Sequence, residues 1–282
     1  MSVTWREWTA EDSAEWIAVP SADDDKYTRG VLGVITGSTD YPGAAVLGVE
    51  AAWRAGAGMV RYIGPRRAST AVLAQRPETV TVAGRVQGWL VGSGIDPHRR
   101  SFVLQGDLQH ALASRLPVVL DAGGLDLVGS HTAPTVITPH ARELATLLTT
   151  REIDASAADV RADPAAWAER AARELGVVVL LKGAVTRIVD PDRDAYTVTA
   201  PTHWLATAGS GDILGGILGA LVATNHAVLA VDADVLAKLA ATAAWVHGEA
   251  ARRASDAVGG GPIVALDIAT SVPAVIGSLL AR

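Results

Sequence analysis

One fifteen-residue string constrains this chain more than any other: Leu205-Ala-Thr-Ala-Gly-Ser-Gly-Asp-Ile-Leu-Gly-Gly-Ile-Leu-Gly219. Thr207 to Gly211 is polar and broken by glycine, and apolar residues follow at Ile213, Leu214, Ile217, Leu218 and Leu221. That three-and-four spacing predicts a helix, with Gly209-Ser210-Gly211-Asp212 at its start. The first amides of a helix have no internal partners, and glycines leave them open to an approaching anion. Asp212 then has two readings. It is an acidic residue complementing the helix dipole, or a general base beside a bound phosphate.

The rest of the chain alternates strand and helix patterns. Val31–Ile35, Met59–Ile63, Trp89–Val91, Pro117–Leu120, Thr135–Ile137 and Val177–Leu181 read as buried strands. Helices are expected over Ala44–Ala55, 101–114, from about Ala141, from Pro164 to Gly176, over Ala227–Arg253, and from Ile263 to the C-terminus with its start near Asp267. Thr186–Asp190 and Tyr196–Thr199 read as an antiparallel pair. Strands separated by helices imply crossover connections, and so an α/β sandwich over a mostly parallel sheet. Residues 1–25, with Trp5, Trp8 and Trp16, read as an N-terminal arm packing its aromatics on the body, and residues 26–282 as a single domain.

Composition narrows the function classes. The chain has 282 residues, 49% of them hydrophobic, enough for a sizeable core. A net charge of −6 disfavours a nucleic-acid surface. The lack of cysteine excludes disulfides and thiolate chemistry. Met1 to Pro20 is charged throughout, unlike a secretory leader, and no apolar run approaches the ~20 residues that span a bilayer. A soluble cytoplasmic protein is expected. Among 24 basic residues only Lys26, Lys182 and Lys238 are lysines, so a lysine is the less routine choice here.

In parallel sheets ligands bind off the carboxyl ends of strands. Polar, glycine-rich strings fall there repeatedly: Thr36-Gly-Ser, Gly92-Ser-Gly, Asp121-Ala-Gly-Gly, Thr138-Pro-His, Lys182-Gly-Ala and the string ending at Asp212. Each member also has a structural reading. His140 is a ligand or a capping histidine. Lys182 contacts a nucleotide or is a solvated charge. Asp121 faces the rim or caps the next helix. His98, His110, His131, His203, His226 and His247 lack metal spacing and read as surface or loop residues. Neither a P-loop, a G-x-S-x-G elbow nor a Rossmann fingerprint is present.

Ala208-Gly-Ser-Gly-Asp212 followed by Gly215-Gly216 resembles the GxGD signature of the ribokinase-like superfamily. The longer string resembles one branch, the ADP-dependent NAD(P)H-hydrate dehydratases. So do Tyr41-Pro-Gly-Ala-Ala-Val46, Arg54-Ala-Gly-Ala-Gly58, Gly92-Ser-Gly-Ile95, Thr138-Pro-His-Ala-Arg-Glu143 and Val178 to Thr186. The resemblance implies a three-layer α/β/α sandwich. It implies that Ala44, Gly94, His140 and Asp212 line a pocket for the hydrated dinucleotide. Lys182, Gly183, Ala184, Val185, Thr186, Gly209, Ser210 and Gly211 would hold the adenine nucleotide, Asp212 would be the base, and Glu143 would lie near a magnesium ion.

ADP as co-substrate, Mg2+ and a homotetramer are implied in the same way. Many members of the family carry a fused epimerase domain, for which 282 residues leave no room, so a separate epimerase is expected. The chain departs from the family pattern at Ser93 (usually Pro), at Ala141-Arg142 (usually Pro-Gly) and over Ala200–Trp204. Arg142 then adds a phosphate contact or faces solvent. Two other readings share the same apparatus: a kinase for a vitamin-precursor alcohol, and a nucleotide-binding regulator without turnover.

Overall fold

A computed structural model describes residues 3–130, 133–191 and 194–281. In chain order the elements are β1 (Trp5–Glu7), α1 (Ala10–Ala14), β2 (Val31–Ile35), α2 (Pro42–Arg54), β3 (Met59–Tyr62), α3 (Arg66–Gln75), β4 (Gly88–Val91), α4 (Phe102–Ala113), β5 (Val118–Leu120), β6 (Thr135–Ile137) and α5 (Ala141–Thr149). There follow α6 (Ala157–Ala162), α7 (Pro164–Leu175), β7 (Val178–Leu181), β8 (Val185–Val189), β9 (Ala195–Thr199), α8 (Ser210–Thr224), α9 (His226–Leu229), α10 (Val235–Ala257) and α11 (Ala265–Leu280).

The strands form one sheet in the order β1-β9-β8-β7-β6-β5-β4-β2-β3. All neighbours pair in parallel except at β8, which runs antiparallel to both β7 and β9. The central strands are buried on both faces, which is why they read as unbroken apolar runs. Alternate residues serve different cores. Leu32 and Val34 pack with α2, α8, α10 and α11, whereas Val31 and Ile35 pack on the side of α4, α5 and α7. The result is the expected three-layer sandwich. The ends of β2, β4, β5, β6 and β7 share one rim, where Thr36, Gly92, Asp121, Thr138 and Lys182 follow their strands.

The central helix α8 sits deep. A methyl group on Gly216 would lie 2.3 Å from the Gly48 carbonyl oxygen, so α2 and α8 approach at backbone contact. That contact fixes the middle of α8 against α2.

Three elements differ from the sequence expectation. The helix expected over Ala227–Arg253 is two, α9 and α10. The Asp232 carboxylate accepts the Asp234 N–H at 3.0 Å, a local turn that competes with helix continuation. Helix α3 has no counterpart in the sequence reading, because of its ten residues only Ala68 and Val72 are buried, too thin a stripe to register as a period. The N-terminal segment does pack its aromatics: Trp8 is buried and meets Tyr196 edge-on at 4.6 Å. It also contributes β1, an edge strand hidden in the sequence by its charges.

Candidate active site

Gly209 is the N-cap of α8, with φ +84°, a left-handed conformation that favours glycine. Asp212 lies in the first turn that follows. Its Oδ1 accepts a hydrogen bond from Ser93 Oγ, at the end of β4. Burial pushes the Asp212 carboxyl up, and the nearby Asp121 charge adds to this. The Ser93 hydrogen bond and the Lys182 charge pull the other way, and the carboxyl settles at about 6.

Lys182, just past β7, points to the same centre. Its Nζ donates to Asp121 Oδ1 at 2.9 Å and lies 3.7 Å from Glu143 Oε2. Asp121 Oδ1 also accepts from Thr138 Oγ1 at 2.7 Å. Burial alone would lower the Lys182 pKa, but Asp121, Glu143 and Asp212 outweigh it and hold the ammonium charged. A methyl on Gly211 would stand 3.5 Å from this Nζ. The capping reading of Asp121 is overturned: its side chain caps nothing and serves Lys182 and Thr138.

His140 and Glu143 form a capping box at the start of α5. Glu143 Oε2 accepts the His140 N–H at 2.7 Å, and His140 Nδ1 accepts the Glu143 N–H at 3.1 Å. The capping reading of His140 therefore holds for Nδ1, while the half-exposed ring borders a cavity. Among the described residues no cluster of three or more His, Asp or Glu is placed to hold a metal by itself.

That cavity, about 610 Å³, lies between the loop after β7, the loop after β9, and helices α8 and α10. Lys182, Gly183, Ala184, Thr186, Ser210 and Gly211 line it. Val185 faces a second cavity, and Gly209 packs beneath, its missing side chain replaced by Leu47 and Ala265. On the other side of Asp212, Gly94 (φ +70°) meets Ala44 and Gly37 so closely that a methyl would lie 2.7 Å from Ala44 Cβ. The loops after β2 and β4 thus close on each other beside Ser93.

The sequence profile of the NAD(P)H-hydrate dehydratase family matches residues 32–273. The chain belongs to this family. It is 45% identical over 228 residues to the bifunctional NAD(P)H-hydrate repair enzyme Nnr of Mycobacterium leprae, covering 77% of this chain and 46% of that protein. It is 34% identical over 249 residues to the ADP-dependent (S)-NAD(P)H-hydrate dehydratase of Neisseria meningitidis serogroup B, covering 81% and 78% respectively. The chain spans about half the length of the bifunctional relatives it matches. In fold it resembles the Bacillus subtilis ADP/ATP-dependent NAD(P)H-hydrate dehydratase, crystallised with ATP/Mg2+: TM-score 0.84, 23% identity, 99% of this chain and 100% of that one.

Two residues of this dehydratase-family site escape sequence reasoning. His247, expected at the surface or in a loop, is buried on α10, and its Nε2 lies 3.1 Å from Ser210 Oγ. Burial lowers its pKa to about 4, so the ring is neutral at physiological pH. A signal for it exists: Ala244, His247 and Gly248 share one helix face, and all three line the cavity. Ser93 reads in the sequence only as a variant glycine turn. Its contact with Asp212 needs the whole fold. His98, His110 and His203 are exposed and His226 is half-buried, while His131 lies outside the described residues.

Proposed function

We propose that this chain catalyses the ADP-dependent dehydration of the S-epimer of hydrated NAD(P)H, returning NAD(P)H and releasing AMP and phosphate. The observation that carries this reading is a carboxylate poised at about 6, at an open helix start, beside a charged lysine. The substrate carries a hydroxyl where water has added to the dihydropyridine ring, and hydroxide is a poor leaving group. Asp212 takes the hydroxyl proton as the oxygen bonds to the terminal phosphorus of ADP. The bond from that phosphorus to AMP breaks. The ring nitrogen lone pair then expels the new ester as phosphate by breaking its C–O bond. Loss of a proton from the adjacent ring carbon to the departing phosphate or to water restores the ring double bond. Lys182 and the first-turn amides of α8 offset the charge that develops.

The adenine nucleotide fits the cavity at Lys182–Thr186 and Ser210–Gly211. The damaged ring fits against Ala44, Gly94 and His140. The donor chemistry suits magnesium, which needs one or two carboxylates when phosphate oxygens complete its shell. Asp121 and Glu143, drawn together by Lys182, would hold it, and it would supply neutralisation of the ADP phosphates. Homotetramer assembly, a cytoplasmic location and a separate epimerase belong to the same reading. Among the described residues no helix is long and apolar enough to cross a membrane.

The test is absorbance at 340 nm with hydrated NADH, magnesium, and ADP or ATP, with Asp212→Asn as control. An ADP-dependent rise lost in the variant is expected. Silence with both nucleotides overturns the reading and directs the search to alcohol acceptors with ATP.

A further inference from the structure

A second cavity, about 750 Å³, lies across the Lys182-Gly183-Ala184 loop from the nucleotide cavity, between the start of α5, the end of α6 and β8. His140, Arg142, Arg161, Lys182 and Arg187 line it, and among the described residues no carboxylate does. Arg187 is held in place, donating to the Val185 carbonyl at 3.3 Å and lying over the Trp5 ring at 6.0 Å. Among the described residues the Arg142 and Arg161 side chains have neither hydrogen bond nor ion pair. A cavity walled by unpaired guanidinium groups is suited to phosphate, which a planar fork of donors grips with two bonds.

We propose that this cavity is a phosphate-binding subsite for the dinucleotide substrate. The inference rests on the function proposed above. Two polyanions must then be held at once, one on each side of a three-residue loop. ADP has the cavity that opens onto Gly211. Lys182 already serves ADP at the cavity that Gly211 lines, so the dinucleotide phosphates need cations of their own. His140 borders both cavities and joins this subsite to the reaction centre. The shared chemistry is a phosphate group: the pyrophosphate of either dinucleotide, or the 2′-phosphate that only NADPH carries.

The experiment measures equilibrium binding of NADPH and of NADH to the full chain by nicotinamide fluorescence, and of ADP by calorimetry. The proteins are wild type, Arg142→Ala, Arg161→Ala, the double variant and Arg161→Lys. Both arginines are exposed, so folding is not at stake. Each alanine is expected to weaken dinucleotide binding about tenfold, as losing a charge-assisted hydrogen bond does. ADP affinity should stay within about twofold, and Arg161→Lys should recover part of the loss. Weakening confined to NADPH identifies the 2′-phosphate; equal weakening of both identifies the pyrophosphate. Unchanged dinucleotide affinity in the double variant, loss of ADP binding instead, or no dinucleotide binding by wild type overturns the proposal. A chain that binds dinucleotides through these arginines without turnover would sink the proposed reaction and leave the subsite standing. An active chain indifferent to both substitutions would do the reverse.

Discussion

Ser93 Oγ donates its hydrogen bond to Asp212 Oδ1 across 119 positions of sequence, joining the end of β4 to the start of α8. The bond favours the ionised carboxylate against the burial that raises it. Ser93→Ala should therefore move the acidic limb of the kcat/KM–pH profile above about 6, by roughly one pH unit. Activity near pH 6 would fall several-fold, with little change at about pH 8.5. A limb that stays in place would show that the hydroxyl does not tune the carboxyl.

Asp212 also bears on stability. Its folded pKa, about 6, is above the ordinary 3.8, so the native state binds the extra proton between those values. Wild-type stability should fall as pH rises from about 4 to about 6 and level off above. Asp212→Asn removes that dependence. Relative to wild type it should gain about 2–3 kcal/mol between about pH 4 and pH 7.5, because each pH unit separating the folded and unfolded pKa values is worth about 1.36 kcal/mol. Thermal melts of both proteins at the two pH values test this, and an equal gap at both would refute it.

Gly209 and Gly211 are two residues apart and should behave oppositely. A methyl on Gly209 meets Leu47 Cδ1 at 2.4 Å and demands a left-handed backbone, so Gly209→Ala should lower Tm by several degrees. A methyl on Gly211 has only Lys182 Nζ nearby, at 3.5 Å, so Gly211→Ala should fold with unchanged or slightly higher Tm. That methyl would project beside the ammonium where phosphate must sit, and ADP binding should drop by at least about tenfold. Calorimetry and melting curves on the pair suffice.

Away from the site, Glu50 on α2 is buried between Arg54 and Arg76. Arg76 Nη2 reaches it at 2.7 Å. Burial would raise its pKa, but the two guanidinium groups outweigh that and hold it below the ordinary 4.5. Its contribution is complete above that value and fades as pH falls through the lowered one. Glu50→Gln should cost about 3 kcal/mol at pH 7, the low end for breaking a buried pair because both arginines are partly exposed. The gap to wild type should narrow below about pH 4 in urea titrations, the reverse of Asp212→Asn.

Much of this architecture is legible because local rules suffice. The Gly209–Asp212 helix start, the buried runs of β2 and β7, and the left-handed end of α7 at Gly176 each declare themselves within a few residues. What stays hidden depends on distance. His247 looks like any helical histidine until α10 is laid beneath Ser210. Asp121 looks like a cap until Lys182, 61 residues on, is brought to it. Helix α3 and strand β1 are masked by their exposed, charged residues, since each buries too little to leave a period.

Strand β1 pairs with β9 through Trp5, Arg6 and Glu7, and Trp5 Nε1 is tied to Glu169 at 2.9 Å. It thereby closes the outer margin of the sheet, where β9 would otherwise present a row of unpaired amides to other molecules. Residues 5–9, which carry no part of the rim, leave as the sheet margin only a three-residue strand bearing Arg6 and Glu7, a short charged edge that disfavours self-association. A preparation cut after Thr9 would have an open seam two strands from β7, and its tendency would be to polymerise along that seam before losing any residue of the rim.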